Sequence, residues 1–362
     1  MQRSLFMLCV AVAGLLALLV ASGTAAADPT VTVVMGGIDN PRGLAFGPQG
    51  ALYVAEAGRG DIGEGDGPCA VAPGGTNQVC YGATGAVSRL WHGAQERVAT
   101  GLPSYATAAG RAQGPNDIAM LGPGSAIVTI GLETSPLFRD QLSAAQPEWA
   151  GFGRLVRVSA GGQWRFVADL GAFEEQANPD PRLVDSDPYG VLAVPGAAVV
   201  ADAGGNDLLR FDDATGRVSL LAVLPRVPQA SDHEPVPTSV VLGPDGAYYA
   251  GEMTGAPFVD GAASIYRIVP GQSPEVYLSG FKAVIDLTFD SEGNLYVLQH
   301  ATGLTMLLGP GELIRVAPDG TRTTVIAGLD RPTSVAVGPD GAVYVTNHGL
   351  SAGDGEVLRI EP

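Results

Sequence analysis

The feature that most constrains the fold of this chain is a unit that recurs along nearly its whole length. Each copy begins with a proline in all cases but one, followed by two small or polar residues, a short apolar stretch, a tight glycine turn and a second apolar stretch. The copies span residues 41–54, 115–128, 188–200, 237–250, 284–297 and 332–345. A turn with Pro and then Asp-Gly between apolar runs is favoured because Pro presets φ and Gly accepts a positive φ. Each copy therefore predicts a β-hairpin.

A second marker gives the same number of units. An arginine followed by an apolar residue predicts a third strand in every unit, at Arg89, Arg157, Arg210, Arg267, Arg315 and Arg359. Five units then continue into a fourth apolar stretch, whereas the sixth stops after its third strand. Residues 31–38 have the same form as the fourth stretch at 324–329. Pairing the first segment with the last would close a ring, so we predict an all-β, six-bladed β-propeller rather than a solenoid, which would need capped ends.

The first 27 residues have the layout of a secretory signal peptide. Arg3 precedes an apolar stretch at 5–20, and three alanines at 25–27 form a small-residue cleavage site. The alternative is an uncleaved membrane anchor, for which the apolar stretch is slightly short. We therefore expect an exported protein in which residues 28–362 form a single propeller domain, with no membrane insertion after cleavage.

Composition limits the partners of this domain. The chain carries 37 acidic and 20 basic side chains, which gives a formal net charge of −17. Nucleic acids and anionic membrane surfaces are bound by stripes of Lys and Arg, so both are disfavoured. We expect a small molecule, a glycan or a protein as the partner, and a monomer in solution.

The cysteines predict one disulfide bond. Of the three cysteines, Cys9 lies in the predicted leader, which leaves Cys69 and Cys80 in the exported chain. A pair with no third thiol in an oxidising compartment indicates a cystine. It would hold together the glycine-rich segment 58–85.

Long insertions are predicted on one face of the ring only. In a four-stranded blade, the links between strands two and three and between blades lie on one face, and the remaining links lie on the other. The first set contains the segments 58–85, 133–151, 171–187, 226–236 and 255–262, whereas the second set is uniformly tight. Variable loops on a rigid scaffold are where binding and chemistry usually occur, so we predict the functional site on this loop-rich face.

Polar residues at the strand ends of this face are candidate metal ligands. Oxygen-bearing side chains end second strands or open first strands at Glu56, Asn116, Asp202, Glu252 and Asp286. Together they would surround one mouth of the central channel, and calcium binds six to eight oxygen ligands of this kind. The alternative is that these groups cap strand ends and bond the backbone of loops.

Candidate catalytic groups are His300, His348 and Asp117. The two histidines follow equivalent second strands of adjacent blades, so they could face one site together as zinc ligands or beside a carboxylate as a general base. Asp117 opens an inner strand and is a candidate carboxylate. No nucleophile elbow, phosphate loop or dinucleotide fingerprint occurs in a supporting context.

Three segments carry a family resemblance, namely PRGLAFGPQGALYVAEAG at 41–58, RPTSVAVGPDGAVYVTNHG at 331–349 and GDGPC at 65–69. Through them the chain resembles the exported ScyD/ScyE-type propeller family over essentially its whole mature length, and its units are similar to NHL-type repeats. The resemblance implies a secreted propeller and carries over no catalytic residues. The architecture is more loosely similar to the six-bladed calcium-dependent lactonases of the gluconolactonase and paraoxonase groups. That likeness implies an axial metal held by Glu, Asn and Asp, and comparable places here hold Glu56, Asn116, Asp202 and Asp286.

Two functions are compatible with these patterns. The first is a secreted binding module that holds its ligand or partner on the loop-rich face. The alternative is a calcium-dependent hydrolase or lactonase with an acidic axial metal site. A quinone-dependent sugar dehydrogenase is disfavoured, because an anionic cofactor needs a cationic pocket and Lys282 is the only lysine.

Overall fold

The structure is a computed structural model that describes residues 29–61, 65, 67–71, 77–226, 233–303 and 307–361. Six antiparallel sheets account for nearly all of its secondary structure, and each sheet is one blade of a propeller. The first strands of successive blades contact one another in a closed cycle, and they therefore surround the central axis. The predicted six-bladed β-propeller is confirmed. The predicted leader at 1–27 lies outside the described residues.

Blades 1 to 3 occupy the N-terminal half of the ring. From the axis outward, blade 1 contains Pro41–Phe46, Leu52–Glu56, Gln78–Trp91 and Ala94–Thr107, extended by the short strands Cys69–Val71 and Ala112–Gln113. Blade 2 contains Pro115–Gly122, Ser125–Ile130, Arg154–Val158 and Trp164–Asp169. Blade 3 contains Pro188–Val194, Ala197–Asp202, Asp207–Asp212 and Val218–Val223.

Blades 4 to 6 complete the ring. Blade 4 contains Pro237–Leu242, Tyr248–Glu252, Ala263–Ile268 and Glu275–Phe281. Blade 5 contains Val284–Phe289, Leu295–Gln299, Gly311–Val316 and Arg322–Leu329. Blade 6 contains Val335–Val337, Val343–Asn347, Gly355–Glu361 and, as its outermost strand, Thr30–Ile38.

Blade 6 closes the ring with strands from both ends of the described chain. Val31 lies opposite Ile360 and Val33 lies opposite Leu358 in the antiparallel pair. Without this pairing, strand Gly355–Glu361 would be an open edge with unpaired backbone groups. The closure therefore gives the last blade the same four strands as the others, as the repeat pattern predicts.

The core lies between the faces of neighbouring blades. The middle of each second strand is fully buried, at Val54, Val128, Val200, Ala250, Val297 and Val345. These strands are covered on both faces, which is why their sequences are almost continuously apolar instead of alternating. Packing of this kind holds the inner strands at fixed positions around the axis.

The tight turns on the opposite face are held by a recurrent ion pair. In blade 4, Arg267 on the third strand contacts Asp245 in the turn between the first two strands at 2.6 Å. In blade 6, Arg359 contacts Asp340 at 2.7 Å, and Tyr344 donates to the same carboxylate. In these two blades the Asp-Gly turn and the Arg that marks the third strand are thus two parts of one contact.

The insertions on the loop-rich face contain the only helices among the described residues. These are α1 (Pro136–Ser143), a 3-10 helix (Pro147–Gly151) and α2 (Leu170–Ala177). The Asp169 side chain accepts a hydrogen bond from the Ala172 N–H at 2.9 Å and so caps α2. None of these helices is long and apolar enough to span a bilayer in the described part of the chain.

The predicted disulfide bond between Cys69 and Cys80 is present. It joins the short strand Cys69–Val71 to the third strand of blade 1, where the two cysteines face each other in the ladder. The bond therefore fixes the first insertion of the loop-rich face onto the scaffold.

Candidate functional site

The axis of the propeller opens on the loop-rich face into a cavity of about 360 Å³, called here the axial cavity. Its inner wall comes from the second residue of the repeat unit in five blades, at Arg42, Tyr189, Thr238, Ile285 and Thr333. The first strand of each blade starts at this face, so the second residue of the repeat unit lies at the mouth of the channel. The repeat therefore places one side chain from each of five blades around the cavity.

Residues further along the first strands line a separate cavity of about 270 Å³ at the other end of the channel. Asp117 and Asp286 lie there, in blades 2 and 5, which are opposite each other in the ring. Asp117 Oδ2 accepts the Val191 N–H at 2.7 Å, and Asp286 Oδ2 accepts the Ser334 hydroxyl at 2.6 Å. These two aspartates tie neighbouring inner strands together and do not line the axial cavity.

Burial raises the pKa of both channel aspartates. The pKa of Asp117 lies well above its usual range, first because of burial and then because the charge of Asp286 opposes ionisation. The pKa of Asp286 is raised to about 6 by burial, against the hydrogen bond from Ser334. The two aspartates therefore resist being ionised at the same time. This pair lies in the channel and does not belong to the loop-rich face.

The polar residues that end the second strands serve as caps. Glu56 Oε2 accepts the Asp39 N–H at 2.9 Å, and Arg97 binds the same carboxylate at 2.7 Å. Glu252 Oε1 accepts the Ser264 N–H at 2.8 Å, and burial raises the pKa of Glu252 to about 8. The side chains therefore point back into their own blades.

Asp202 and Asn116 are also engaged by the scaffold. Asp202 Oδ1 accepts three backbone N–H groups, including that of Asp187 at 2.6 Å, and its Oδ2 accepts the Ser186 hydroxyl at 2.7 Å. Asn116 donates to the Pro188 carbonyl at 3.2 Å. Each of the two side chains is thus used to fix the loop before blade 3.

The predicted calcium ligands do not assemble into a site. No three His, Cys, Asp or Glu side chains of the described residues are arranged to hold a metal ion. The ligands predicted at Glu56, Asn116, Asp202, Glu252 and Asp286 belong to different places, because four of them bond loops or strands near the loop-rich face and Asp286 lies at the far end of the channel. The geometry matches the capping alternative, because these five side chains do not converge on one position in the described part of the chain.

The two candidate histidines do not face one site. His300 is buried and lines the axial cavity, whereas His348 is about a third exposed, with Nδ1 3.1 Å from Asp330 and Nε2 3.4 Å from Glu356. His300 Nδ1 lies 2.9 Å from the Pro332 carbonyl, which can only accept, so Nδ1 carries the proton and Nε2 is unprotonated. Burial lowers the pKa of His300 to about 4, which keeps the ring neutral at physiological pH.

Asp187 is the functional candidate that the sequence patterns did not indicate. Its Oδ1 accepts hydrogen bonds from Gln113 Nε2 at 2.6 Å, the Leu132 N–H at 3.0 Å and Asn116 Nδ2 at 3.4 Å. Its Oδ2 accepts no hydrogen bond from the described part of the chain, and the residue lines the axial cavity. A Cβ on Gly131 would lie 2.6 Å from Oδ1, so only glycine leaves room for this arrangement. Burial raises the pKa of Asp187 to about 7.

The position of Asp187 carries a weak signal in the sequence. It immediately precedes Pro188, the first residue of a repeat unit, and is therefore next to the position that lines the cavity. Asp185, two residues earlier, also lines the cavity, and burial raises its pKa to about 6.

Two arginines add positive charge to the axial cavity. Arg42 is almost fully buried, and its guanidinium donates to the carbonyls of Gly349 and Ala112. Arg111 is half exposed and forms an ion pair with Glu133. Arg42 has no carboxylate within ion-pair distance among the described residues, in contrast to Arg111. The cavity thus contains one buried cation without a paired anion.

Comparison with known proteins identifies the architecture. No protein-family model matches the sequence, and no curated protein matches it. A streptogramin B lyase structure is similar with a TM-score of 0.53 at 13% identity, over 92% of this chain and 98% of the lyase. A regucalcin from Agrobacterium tumefaciens, described as a calcium-binding protein, has a TM-score of 0.52 at 14% identity, over 92% and 95%. A glucose dehydrogenase also reaches 0.52 at 14% identity, over 92% and 100%.

These structures share the six-bladed propeller fold with the chain. At such identities the likeness shows the fold alone, and reactions differ widely between proteins that share a propeller. A finer relation to the ScyD/ScyE-type family is not among these findings. The function must therefore be argued from the axial cavity.

Proposed function

We propose that this chain is an exported hydrolase that cleaves a small ester or lactone in the axial cavity by general acid–base chemistry. The observation that supports the proposal is the arrangement of Asp187, with one oxygen held by three donors and the other without a donor from the described residues. The same cavity contains the neutral His300. Perturbed titratable groups that meet in one cavity are typical of catalytic sites.

Asp187 is the proposed general base. Because burial raises its pKa to about 7, about half of the molecules carry the carboxylate at neutral pH. In the proposed reaction, Asp187 takes a proton from a water molecule while the water oxygen attacks the carbonyl carbon of the substrate. The bond from that carbon to the leaving oxygen then breaks, and the proton moves from Asp187 to the leaving oxygen. An ester gives an acid and an alcohol, and a lactone gives a hydroxy acid.

His300 and Tyr189 are the proposed positioning and stabilising groups. The unprotonated Nε2 of His300 can accept a hydrogen bond from the attacking water. Burial raises the pKa of Tyr189 to about 12, so its hydroxyl keeps its proton and can donate to the carbonyl oxygen as negative charge develops there. Tyr189 is the second residue of its repeat unit and is fixed on an inner strand, which suits a preorganised donor.

The proposal is tested by the pH dependence of turnover. We expect the purified protein to hydrolyse members of a panel of aryl esters and lactones, with kcat rising as pH increases through about 7 as Asp187 ionises. Asp187→Asn keeps an Oδ1 acceptor for the three donors but removes the base. It should lower kcat by about 10²- to 10⁴-fold and abolish the rise near pH 7.

A matched control separates loss of the base from a general effect of removing an acid. Asp319 lies in an exposed turn of blade 5 on the opposite face, and Asp319→Asn should leave kcat unchanged. Each assay is run with calcium and with a chelator, and we expect equal rates. Rates that require calcium would contradict the proposed chemistry, and binding of the panel without turnover would favour a binding module instead.

A further inference from the structure

A second cavity adjoins the axial cavity on the loop-rich face. It has a volume of about 300 Å³ and is called here the side pocket. Most of its wall is aromatic or aliphatic, including Tyr105, Leu132, Phe138, Leu142 and Trp149. Pockets for small molecules are typically lined in this way, with a few polar groups that fix orientation.

The aromatic wall of the side pocket is rigid. Trp149 belongs to the 3-10 helix and Tyr105 to the outer strand of blade 1, and their ring centroids are 5.7 Å apart. Trp149 Nε1 donates to Gln146 at 2.8 Å, and the Tyr105 hydroxyl donates to the Leu132 carbonyl at 2.8 Å. Because their polar atoms are already bonded to the protein, the rings offer the pocket an apolar surface.

The two cavities share one wall. Arg111, Gln113 and Glu133 line both of them. Gln113 Nε2 also donates to Asp187 Oδ1 at 2.6 Å, so the shared wall is in direct contact with the proposed base. A ligand that extends from the side pocket into the axial cavity would therefore cross over Gln113 and pass Asp187.

The axial end of this path contains the buried cation. Arg42 is 4% exposed, and among the described residues its guanidinium donates only to carbonyl oxygens, including that of Ala112, which lines the side pocket. Asp187 in the same cavity acts on this charge without forming an ion pair with it, and a buried cation without an ion-pair contact is costly. A ligand carboxylate would supply that contact. The planar guanidinium is suited to a carboxylate.

From these contacts we propose that the substrate carries a bulky apolar or aryl group, which occupies the side pocket, and an anionic group, which binds Arg42. The scissile bond lies between them, beside Asp187. This inference rests on the proposed function for the site of reaction, but the two ends of the ligand are assigned from the pockets themselves.

Binding of product-like probes tests the assignment without any turnover. The probes are ω-phenylalkanoates of increasing length, from phenylacetate to phenyloctanoate, each paired with its neutral amide, and butyrate as a carboxylate without a ring. Titration calorimetry on Asp187→Asn, which cannot use the base, measures affinity. We expect a preferred chain length at which the carboxylate binds at least about tenfold more tightly than its amide and than butyrate.

Two sets of variants assign each end. Leu142→Trp should fill the side pocket and weaken the preferred phenylalkanoate at least about tenfold while leaving butyrate unchanged. Leu137→Trp is the matched control on the same helix, since Leu137 is about half exposed and does not line the pocket. Arg42→Met should abolish the preference for the carboxylate over the amide, and Arg42→Lys should retain part of it.

The outcomes distinguish the two proposals. Equal affinities for carboxylate and amide in the protein with Arg42 intact, or equal effects of Leu142→Trp and Leu137→Trp, overturn the ligand assignment, and neither depends on Arg42→Met folding. Turnover that fails while the predicted affinities are observed overturns the hydrolase and leaves the ligand assignment standing. Turnover without the predicted preference for the aryl carboxylate overturns the ligand assignment and leaves the hydrolase standing.

Discussion

The buried acids Glu174 and Asp207 give a stability prediction that the structure makes quantitative. Glu174 lies on α2 and Asp207 opens the third strand of blade 3, and both are at most 1% exposed. Among the described residues no donor outside this pair reaches either oxygen of Asp207 or Oε1 of Glu174, and the two carboxyl groups interact with each other. Two carboxyl groups in this setting are stable only if they retain protons, because an unpaired buried carboxylate is strongly destabilising.

Burial, followed by the charge of Asp202, raises the pKa of Glu174 from 4.5 to about 8. Between these values the folded protein holds a proton that the unfolded chain has released, so the free energy of unfolding falls as pH rises through this window. One pKa unit corresponds to about 1.36 kcal/mol, and the loss at pH 8 is therefore on the order of 4 kcal/mol. Glutamine cannot ionise and does not suffer this loss.

We therefore expect Glu174→Gln to gain stability relative to the unchanged protein as pH rises, by on the order of 4 kcal/mol between about pH 4.5 and about pH 8. Urea unfolding at a series of pH values measures the difference. Glu175 is exposed on the same helix, and Glu175→Gln should stay within about 0.5 kcal/mol of the unchanged protein throughout. A Glu174→Gln difference that is constant with pH, or that falls as pH rises, would refute the reasoning.

Three further predictions concern stability. Glu56→Gln should lose about 2 kcal/mol, because Arg97 keeps a weaker acceptor, and the loss measured by calorimetry should be the same with and without calcium. Replacing Cys69 and Cys80 by serine should reduce the free energy of unfolding by up to about 3 kcal/mol, because the unfolded chain gains loop entropy, and the melting temperature should fall accordingly. Reductant should then have no additional effect on the variant. Met35→Ala, in the strand that closes blade 6, should cost about 2 to 4 kcal/mol in urea unfolding, whereas a change below about 0.5 kcal/mol would show that closure contributes little.

The fold could be predicted because each repeat unit predicts one hairpin and the number of units predicts the number of blades. The turn residues, the buried middle of each second strand and the Arg of each third strand recur in every unit, so an error in one unit is corrected by the others. The closing strand Thr30–Ile38 could be predicted for the same reason, since it supplies the fourth strand that the sixth unit lacks. The helices α1 and α2 were not predicted, because eight residues are too few to give a clear helical period.

The orientation of polar side chains could not be predicted in the same way. Glu56 and Glu252 were assigned to the axis from their positions at strand ends, yet they bond donors of their own blades. A buried backbone N–H requires an acceptor wherever the chain turns, and that requirement decides where a strand-end carboxylate points. The sequence shows which residue types stand at the rim, but it does not show which of them the scaffold already uses.

Asp187 illustrates how one residue is released from that structural requirement. In blade 1 the strand-end acceptor Glu56 binds the N–H of Asp39, two residues before the first strand begins. In blade 5 the N–H of Lys282 binds Gln299, and in blade 6 the N–H of Asp330 binds Asn347. Both N–H groups lie two residues before their repeat units, which begin at 284 and 332. In blade 3 the acceptor Asp202 binds the N–H of Asp187, which directly precedes the first strand, so the capped N–H lies one residue later. Asp202 thus performs the capping through the backbone of Asp187, while the Asp187 side chain lines the axial cavity. A shift of one residue in the capping contact thus accompanies the division of these two acids into a structural one and the proposed base.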